Sequence, residues 1–519
     1  MTSHPVISHP VKIEPVKIEP VAPPHAHRLW IIDALAMQLA SPSTRTLSQR
    51  LYQSLREWIQ QGQLGVGSAL PSSRQLAREL GLGRNTVLAA VDRLTAEGFV
   101  ETRPGAGVFV AEWQSERGAG AIPVSSAGAV SHELSARGQR ILDFSRVLSD
   151  RHTAFAPGVP ALDQFPRERW QRLLRRHYQR APIEWHDYQH QGGVAALREV
   201  LCDYLRLSRS VRCRPEQILI TQGAQQGFEL IARLLADAGD AVWVEEPGYG
   251  GAQSCFVAAG LNAIPLAVDE DGANVNRVAD ETPAPRLIYV TPSHQYPSGV
   301  TMSLPRRMAL LEAASRHGAW IIEDDYDSEF RYASAPIASL QGLVDDAPVI
   351  YVGTFSKVLY PGLRLGYLVL PEALVEPFTR ANARLHREGQ YVAQAALAAF
   401  IGEGHFVRHV SRMRELYRWR QAQLREALAP AVARGLVLSA GQAGMHLVAQ
   451  LESREIESEL VARGRRAGIL LSPLSGYFLQ QPGRPGLVLG YAGATDAEIA
   501  TAGRWLCRAW CELSAPDRR

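Results

Sequence analysis

One lysine stands where covalent chemistry with an aldehyde is possible. Lys357 ends the segment Gly-Thr-Phe-Ser-Lys at 353–357, which directly follows an apolar run at 349–352, and Arg364 comes soon after it. An amine just beyond a buried strand, close to small hydroxyl groups and a guanidinium, can form a Schiff base with an aldehyde cofactor whose phosphate is held nearby. Lys357 is therefore the candidate for the reactive amine.

Acidic residues follow a second apolar run upstream. The segment Glu-Asp-Asp-Tyr-Asp at 323–327 comes directly after residues 320–322. The ring of pyridoxal 5'-phosphate withdraws electrons while its pyridine nitrogen is protonated, and a buried carboxylate opposite that nitrogen raises the nitrogen's pKa. Asp324 and Asp325 are both candidates for this carboxylate. Tyr326 can donate a hydrogen bond to the phenolate oxygen of the ring.

Two further segments suit the phosphate and the ring of the same cofactor. Thr-Gln-Gly-Ala-Gln at 221–225 follows an apolar run and opens a helix, so its backbone N–H groups can cradle a phosphate at the positive helix end. Glu-Pro-Gly-Tyr at 246–249 ends another apolar run, where the ring of Tyr249 can stack on a pyridine. The common position of these segments at strand ends predicts a single site.

The elements that must position these residues alternate along the chain. Short apolar runs at 218–220, 241–244, 287–290, 320–322 and 349–352 are separated by longer helical patterns. Buried parallel strands joined by crossover helices require this alternation. We therefore predict an α/β body built on a mainly parallel sheet with helices on both faces.

A small helical region precedes the body. An apolar residue at every fourth position from 47 to 59 predicts a first helix, and Ser72 caps a second helix that ends at Gly81. A tight turn then leads into a third helix that begins with Arg84, Asn85 and Thr86. Two short helices joined in this way form a helix-turn-helix, whose second helix presents its first side chains to phosphates and base edges.

The helical region ends in a hairpin. Residues 99–110 have the pattern of two strands closed by a glycine turn that carries Arg103. Such a hairpin is a wing, which can lie along a groove of DNA and contact its backbone. The sequence thus predicts a winged helix-turn-helix.

Residues from about 46 to 110 resemble the winged-helix domain of GntR-type transcription regulators. The resemblance rests on Pro-Ser-Ser-Arg at 71–74, Leu-Gly at 80–81, Arg84, Thr-Val at 86–87, Glu-Gly-Phe at 97–99 and the glycines at 105 and 107. It implies a double-stranded DNA operator as a partner. The DNA contacts that it implies are Arg74, Arg84, Asn85, Thr86, Arg103 and Gly105.

Residues from about 142 to 511 resemble the fold-type I aminotransferases, and three segments resemble the MocR subfamily, in which a GntR-type head precedes this body. These segments are Pro-Ser-His-Gln-Tyr-Pro-Ser-Gly at 292–299, the acidic run at 323–330 and Gly-Thr-Phe-Ser-Lys at 353–357. The resemblance implies pyridoxal 5'-phosphate as the cofactor and Lys357 as the internal aldimine. It places Asp324, rather than Asp325, at the ring nitrogen, Tyr326 at the phenolate oxygen and Tyr249 against the ring. The residues that it implies around the phosphate are Ala224, Gln225, Thr354, Ser356 and Arg364.

The resemblance also bears on the assembly and on turnover. Tyr188 matches the position from which the family reaches the phosphate of the neighbouring subunit, which implies a homodimer. The family commonly has an asparagine before Pro-Thr-Gly, and this chain does not, so His294 or Gln295 is expected to take that ring contact. Residues 487–492 lack the arginine that commonly binds a substrate carboxylate, although Arg484 is close in sequence. The missing arginine favours sensing over turnover.

Composition restricts the remaining possibilities. The chain has 519 residues, and 55 Lys and Arg against 52 Asp and Glu give a net charge of +3, so any nucleic-acid surface must be local. The five cysteines form no Cys-x-x-Cys pair, which argues against a disulfide framework and a structural zinc site. With no apolar run of about 18 residues and no secretion signal, we expect a cytoplasmic protein that has no membrane segment and binds no metal.

We predict four segments. Residues 1–27 contain a repeated Val-Lys-Ile-Glu-Pro, and proline at every fifth position prevents a continuous helix, so they form a disordered extension. Residues 28–113 form the winged-helix domain. Residues 114–141 are rich in Gly, Ala and Ser and form a flexible linker. Residues 142–519 form the aminotransferase-like domain, which binds the cofactor and the effector and dimerises.

Three functions fit these features. The first is a dimeric transcription regulator that binds DNA through its head and senses pyridoxal 5'-phosphate, or an amine or amino-acid effector, through its body. The alternative is a catalytically active aminotransferase with an attached DNA-binding head, which multiple-turnover formation of keto acid would favour. The third is a body that has lost the cofactor and only dimerises.

Overall fold

The computed structural model describes residues 26–40, 44–112, 134–144, 154–278, 281–332, 337–480 and 483–514. Contacts within the chain divide it into two compact units, Met1–His132 and Glu133–Arg519. Most of the predicted extension (1–27) and of the predicted linker (114–141) lies outside the described residues. The last residues of that linker belong to a helix, Ala136–Phe144, that contacts the helix Gly250–Ala259.

The smaller unit contains four helices and one hairpin among the described residues. Leu51, Leu55, Leu76, Val87 and Leu94 are fully buried between the helices. Leu47 belongs to the predicted apolar stripe, yet it is exposed, because it is the first helical residue and lies beyond the core. The elements are α1 (Ala26–Ala40), α2 (Leu47–Gln60), α3 (Ser73–Glu79), α4 (Arg84–Ala96), β1 (Val100–Arg103) and β2 (Gly107–Val110).

Local sequence explains the ends of these helices. Thr46 and Gln49 form a complete capping box at the start of α2. The hydroxyl of Ser72 accepts a hydrogen bond from the backbone N–H of Gln75 at the start of α3. Gly81 follows α3 with a φ of +64°, which glycine adopts without steric cost. The two helices of the predicted helix-turn-helix therefore begin and end where the sequence places them.

The larger unit is an α/β domain. Its described helices are α5 (Ala136–Phe144), α6 (Arg167–Gln179), α7 (Ala195–Arg209), α8 (Ala224–Leu235), α9 (Gly250–Ala259), α10 (Leu304–His317), α11 (Glu372–Leu385), α12 (Tyr391–Gly402), α13 (His405–Val432), α14 (Arg454–Arg466) and α15 (Asp496–Leu513). Its described strands are β3 (Ile218–Thr221), β4 (Ala241–Glu246), β5 (Asn262–Asp269), β6 (Gly272–Ala273), β7 (Pro285–Val290), β8 (Trp320–Asp325), β9 (Val349–Thr354), β10 (Gly366–Val369), β11 (Val437–Leu438), β12 (His446–Gln450), β13 (Ser472–Pro473) and β14 (Gly486–Gly490).

Eight strands form the main sheet in the order β3-β10-β9-β8-β7-β4-β5-β6. The neighbours from β9 through β5 are parallel, whereas β10 runs antiparallel to both β3 and β9. All five strands predicted from apolar runs are present and point the same way. Their carboxyl ends therefore meet at one edge of the sheet.

Helices cover both faces of this sheet. Alternate residues of a strand point to opposite faces. Leu219 and Val352 pack with Phe228 of α8, whereas Ile220 and Tyr351 pack with side chains of α7 and α12. The predicted architecture, a winged helix-turn-helix followed by an α/β body with a mainly parallel sheet and helices on both faces, is confirmed.

A second, antiparallel sheet of four strands, in the order β11-β12-β14-β13, follows in the chain. It was not predicted, because two of its strands have only two residues each and leave no periodic pattern. Among the described residues, no helix combines the length and apolar composition needed to cross a membrane.

Candidate functional site

A cavity of about 290 Å³ opens where the carboxyl ends of the strands meet. Every cofactor-binding residue predicted from the sequence borders it except Tyr188 and His294. The lining residues are Gly158, Ala224, Gln225, Tyr249, Tyr289, Thr291, Tyr296, Asp324, Tyr326, Thr354, Ser356, Lys357, Pro361 and Arg364. The fold thus brings together segments that are far apart in the chain.

Lys357 lies just beyond β9 and points into the cavity. Its Nζ donates a hydrogen bond to the carbonyl oxygen of Gly158, at 2.9 Å. Gly158 has a φ of +70°, and a Cβ at this position would lie 2.7 Å from the Nζ atom. Only glycine fits here without displacing the amine.

Lys357 is also the only lysine beyond residue 17. The chain contains three lysines, Lys12, Lys17 and Lys357, whereas its cationic side chains are otherwise arginines. The larger unit therefore holds a single primary amine among its side chains. Any aldehyde that reacts with a lysine of this unit reacts at this cavity.

Asp324 is buried at the end of β8 with one oxygen unpartnered. Its Oδ2 accepts a hydrogen bond from the hydroxyl of Tyr289, at 2.7 Å. Its Oδ1 is buried and lacks a hydrogen-bond partner among the described residues. Burial raises the pKa of Asp324 to about 7, while the Tyr289 hydrogen bond and the charge of Lys357 oppose that rise. A buried, unpartnered carboxylate oxygen at a cavity wall fits a protonated ring nitrogen.

Asp325 faces the other side of the sheet. Its Oδ2 accepts hydrogen bonds from the Nε of Arg209, at 3.0 Å, and from the hydroxyl of Tyr351. Neighbouring residues of a strand point to opposite faces, so only one of the two adjacent acids can reach the cavity. That residue is Asp324.

The opposite end of the cavity suits an anion. Ala224 and Gln225 open α8, and Gly223 precedes them with a φ of +89°. The guanidinium of Arg364 packs over Gly223, so close that a Cβ there would lie 3.4 Å from its Cζ. A helix amino end, a guanidinium and the hydroxyl groups of Thr354 and Ser356 together form a site for phosphate.

Gln225 also orients the aromatic wall. Its Nε2 donates a hydrogen bond to the hydroxyl of Tyr249, at 3.0 Å. The ring of Tyr249 meets the ring of Tyr296 edge to face, with centroids 5.8 Å apart. The Tyr249 ring is thereby fixed at the cavity, as stacking on a cofactor ring requires.

His294 and Gln295 lie outside the cavity lining. The Nδ1 of His294 lies 2.9 Å from the hydroxyl oxygen of Tyr326 and 3.0 Å from a carboxylate oxygen of Asp327. The amide of Gln295 is occupied by contacts with Glu245 and the backbone around it. His294 therefore stands behind Tyr326, and neither His294 nor Gln295 borders the cavity.

Tyr188 is exposed on the surface of the larger unit. The guanidinium of Arg387 lies 4.9 Å from the centroid of its ring. Its side chain does not border the cavity of its own chain. This placement leaves the hydroxyl available to another subunit.

Arg484 is exposed rather than directed into the cavity. The neighbouring Tyr491 is buried, and its hydroxyl donates to the carbonyl oxygen of Gly444, at 2.8 Å. Among the described residues, Lys357 and Arg364 are the cations that border the cavity. A carboxylate clamp separate from the candidate phosphate site is therefore absent from this part of the chain.

Five lining residues were not predicted from the sequence: Gly158, Tyr289, Thr291, Tyr296 and Pro361. Tyr289 and Thr291 stand at the end of a predicted strand, β7, so the rule that strand ends meet at one edge could have found them. No local pattern marks Gly158, because it reaches the cavity only through the tertiary fold.

The predicted DNA-binding residues lie together on the smaller unit. Arg84 and Asn85 are exposed at the amino end of α4, with Thr86 half-buried beside them, and Arg74 is exposed on α3. Arg74 and Arg84 form no ion pair with another described residue. These side chains are available at the end of the recognition helix, which is where DNA contacts are needed.

The wing is a two-stranded antiparallel hairpin with Gly105 in its turn. Gly105 and Gly107 have φ values of +76° and +117°. Arg103 is exposed, with its guanidinium 4.6 Å from the centroid of the Phe109 ring and 2.6 Å from a carboxylate oxygen of Glu101. The hairpin holds this cation in an extended position at its tip.

Known proteins match both units. The family of aminotransferases class I and II matches residues 156–502, and the gntR family of bacterial regulatory proteins matches residues 47–110. The probable rhizopine catabolism regulatory protein MocR of Rhizobium meliloti is 42% identical over 451 residues, which cover 86% of this chain and 90% of that protein. The HTH-type pyridoxine biosynthesis transcriptional regulator PdxR of Corynebacterium glutamicum is 29% identical, over 89% of this chain and 94% of that protein.

A solved enzyme structure matches the larger unit. LysN, the α-aminoadipate aminotransferase of Thermus thermophilus in complex with N-(5'-phosphopyridoxyl)-L-leucine, has a TM-score of 0.64 and 28% identity. The match covers 73% of this chain and 96% of that chain.

Proposed function

This chain belongs to the MocR-type transcription regulators, which join a GntR-type winged helix to an aminotransferase class I and II domain, and from this premise we propose that it is a homodimeric regulator controlled through Lys357. Its smaller domain binds DNA, and the cofactor of its larger domain is pyridoxal 5'-phosphate. When bound, this cofactor supplies an aldehyde that bonds to a primary amine and a ring that withdraws electrons.

One observation carries the assignment of Lys357. Lys357, which carries the only primary amine among the side chains of the larger domain, and Asp324, whose Oδ1 has no hydrogen-bond partner among the described residues, border the same cavity. The other end of this cavity suits an anion. In our proposal Lys357 bonds to the aldehyde and Asp324 keeps the ring nitrogen protonated. Tyr326 donates to the phenolate oxygen and Tyr249 covers the ring. The phosphate is held by Ala224, Gln225, Thr354, Ser356 and Arg364.

The homodimer is part of the proposal. Tyr188 is 68% exposed, whereas tyrosine residues in folded proteins are commonly more buried. We assign its hydroxyl to the phosphate held by the other subunit. Two subunits carry two heads, so the operator should contain paired half-sites.

The head has two kinds of contact in this proposal. Arg84, Asn85 and Thr86 read base edges, because they lie at the amino end of α4. Arg74 and Arg103 neutralise phosphates, and Gly105 lets the backbone of the wing approach the DNA. Occupancy of the cavity, by the cofactor alone or by an amine or amino-acid effector bonded to it, shifts the pair of heads between arrangements of different DNA affinity.

Labelling of lysines tests the assignment. The protein is incubated with pyridoxal 5'-phosphate, reduced with borohydride and digested, and mass spectrometry then locates the added pyridoxyl group. We expect the label on the peptide that contains Lys357 and a visible absorbance band that Lys357→Ala abolishes. The control variant, Lys12→Arg with Lys17→Arg, should keep both the label and the band. A wild-type protein that stays colourless would refute the assignment.

Binding to the DNA upstream of its own gene tests the regulatory part. Addition of pyridoxal 5'-phosphate should change the affinity of the wild-type protein in a mobility-shift titration and leave that of Lys357→Ala unchanged. An equal response of both proteins would contradict control through Lys357. Multiple-turnover formation of keto acid from amino acids would instead support the aminotransferase alternative.

A further inference from the structure

Behind the cofactor cavity, a buried histidine and a buried carboxylate contact the tyrosine that borders the cavity. His294 is 3% exposed, and its Nδ1 lies 2.9 Å from the Tyr326 hydroxyl oxygen. The same Nδ1 lies 3.0 and 3.1 Å from the two oxygens of Asp327. One ring nitrogen thus faces three oxygens, only one of which borders the cavity.

The protons in this cluster can be assigned from its chemistry. As a carboxylate, Asp327 offers only acceptors, so a bare Nδ1 lone pair at 3.0 Å from it would be repelled. The favourable tautomer of His294 carries its proton on Nδ1 and donates it towards Asp327. A protonated Nδ1 cannot accept from Tyr326. The hydroxyl proton of Tyr326 must therefore point elsewhere, and the open direction is the cavity.

The position of the histidine ring is tightly defined. A Cβ on Gly444 would overlap the His294 ring, and a Cβ on Gly299 would lie 3.3 Å from its Nε2. The carbonyl of Gly444 is itself held by the hydroxyl of Tyr491, at 2.8 Å. Because these two glycines have no Cβ, the backbone packs closely against the histidine ring, and this close packing limits rotation of the ring.

We propose that His294 is a positioning residue, which, held by Asp327, directs the hydroxyl proton of Tyr326 into the cavity. This inference rests on the proposed function, in which that proton is donated to the phenolate oxygen of pyridoxal 5'-phosphate. His294 itself touches no part of the cofactor. It replaces the direct ring contact expected from the sequence with an indirect one through Tyr326.

Other titratable groups also face this cluster. The ring of His446 is the nearest histidine, with its centroid 5.3 Å from that of His294. Its Nε2 lies 2.8 Å from the carbonyl oxygen of Pro297, and burial lowers its pKa to about 4, so it is neutral and has no bond to Tyr326. The remaining groups around Tyr326 and the two histidines are Asp324, Glu245, Tyr296 and Lys357.

The test is a pH titration of the visible absorbance of the full-length protein loaded with pyridoxal 5'-phosphate. Tyr326→Phe should raise the apparent pKa of the band by about one unit, because the phenolate oxygen loses a donor and holds the neighbouring proton more strongly. His294→Leu should raise it in the same direction, because the Asp327 carboxylate, which contacts the same ring nitrogen as the Tyr326 hydroxyl, loses the histidine N–H and then competes with the phenolate for the Tyr326 proton. In a Tyr326→Phe background, His294→Leu should add no further shift. His294→Asn, which keeps an N–H at the Nδ1 position, should restore the wild-type value.

His446→Leu is the matched control, because it removes an equally buried imidazole that does not contact Tyr326, and it should titrate as wild type. Asp327→Asn provides a second route, since it keeps the side-chain shape but removes the charge that fixes the tautomer, and it should shift the band in the same direction. A coloured wild type with an unshifted His294→Leu, or a shift that persists fully in the Tyr326→Phe background, would overturn this inference alone. A colourless wild type would overturn the proposed function with it.

Discussion

In the smaller domain, the residues proposed to contact DNA lie between positions 74 and 105, and most are exposed. In the larger domain, the residues that border the cavity lie between positions 158 and 364 of the chain. The acid among them, Asp324, is almost completely buried. The exposed set is close in sequence and needs only two helices and a hairpin to position it. The buried set needs an entire sheet.

This difference has an energetic consequence. An exposed cation is already solvated and loses little when its neighbours change. A buried charge depends on its partners, because removal of one partner leaves the other uncompensated in a medium of low polarity. Substitutions in the head should therefore alter binding without altering stability, whereas those around the cavity should alter both.

The largest expected effect tests the buried side of this comparison. Arg209 is 3% exposed, with its Nε 3.0 Å from Asp325 and its Nη2 3.6 Å from Glu329. Arg209→Met leaves two carboxylates buried without their cation, so it should lower the free energy of unfolding by about 3–5 kcal/mol. Denaturant unfolding of the apoprotein measures this loss.

An exposed ion pair of the same domain provides the control. Arg212 pairs with Asp345, and both side chains are more than half exposed. Arg212→Met should cost less than about 1 kcal/mol. Equal losses for the two variants would show that burial does not determine how much stability is lost with an ion pair. The expected difference between the two domains would then be wrong.

Arg84→Ala tests the exposed side. It should weaken specific DNA binding by about 1–3 kcal/mol, roughly a fivefold to 150-fold loss, because a contact to a base edge disappears. The free energy of unfolding should change by less than about 0.5 kcal/mol, and the cofactor colour should remain. Fluorescence anisotropy with an operator fragment measures the affinity. Arg78→Ala, which removes an exposed arginine of α3 paired with Glu79, should bind DNA nearly as wild type does.

The raised pKa of Asp324 makes the stability of the apoprotein depend on pH. Burial raises its folded-state pKa to about 7, above the value of about 4 expected in an unfolded chain. The folded apoprotein then binds the extra proton between these values, so the contribution of this group to stability is lost as the pH rises from about 4 to 7. Thermal unfolding of Asp324→Asn should show a smaller decline over this range than the wild type.

The other buried acids remain present in both proteins, which makes the difference specific. Burial also raises the pKa of Glu245 and of Glu323 to about 7. Glu323 contributes equally to the wild type and to Asp324→Asn, whereas the charge of Asp324 is one of the smaller causes of the raised pKa of Glu245, so the Glu245 contribution also falls in the variant. Identical pH profiles of the two proteins would show that Asp324 is ionised at no cost in the fold.

The smallest effect concerns the wing. Glu101 neutralises Arg103 at 2.6 Å, and both side chains are about half exposed. Glu101→Gln should strengthen DNA binding at low salt by about twofold to fivefold, since it frees the cation and removes a negative charge near the phosphates. Arg103→Gln should reduce the salt dependence of binding by about one counterion. A Glu101→Gln protein with weaker binding would indicate that the ion pair shapes the wing.

Sequence reasoning recovered the repeating elements of both domains. Five strands of the main sheet, the helix-turn-helix and the hairpin followed from apolar periodicity, caps and glycines. It missed three strands of the main sheet, β5, β6 and β10, and it missed the second sheet, two of whose strands have only two residues. The end of the predicted linker, 114–141, overlaps the helix Ala136–Phe144, which contacts α9.

At the cavity, the sequence predicted which residue types are present but not where each of them lies relative to the cavity. Lys357, Arg364 and the turn at 221–225 follow strands that the sequence reveals. His294 was expected at the ring, but the fold places it behind Tyr326 and beside Asp327. A motif gives the order of residues along the chain, but it does not tell which of them borders the cavity and which lies behind that residue.

The sequence by itself determined that a lysine follows one strand, that an acid stands at a neighbouring strand end and that an arginine begins the second helix of the helix-turn-helix, because these features depend on local order and spacing. Only the tertiary structure decided which of two adjacent acids faces the cavity, and it brought the carbonyl of Gly158 to a lysine 199 positions away. The physical reason is that the faces of a strand and the contacts between distant segments are fixed by packing of the whole sheet.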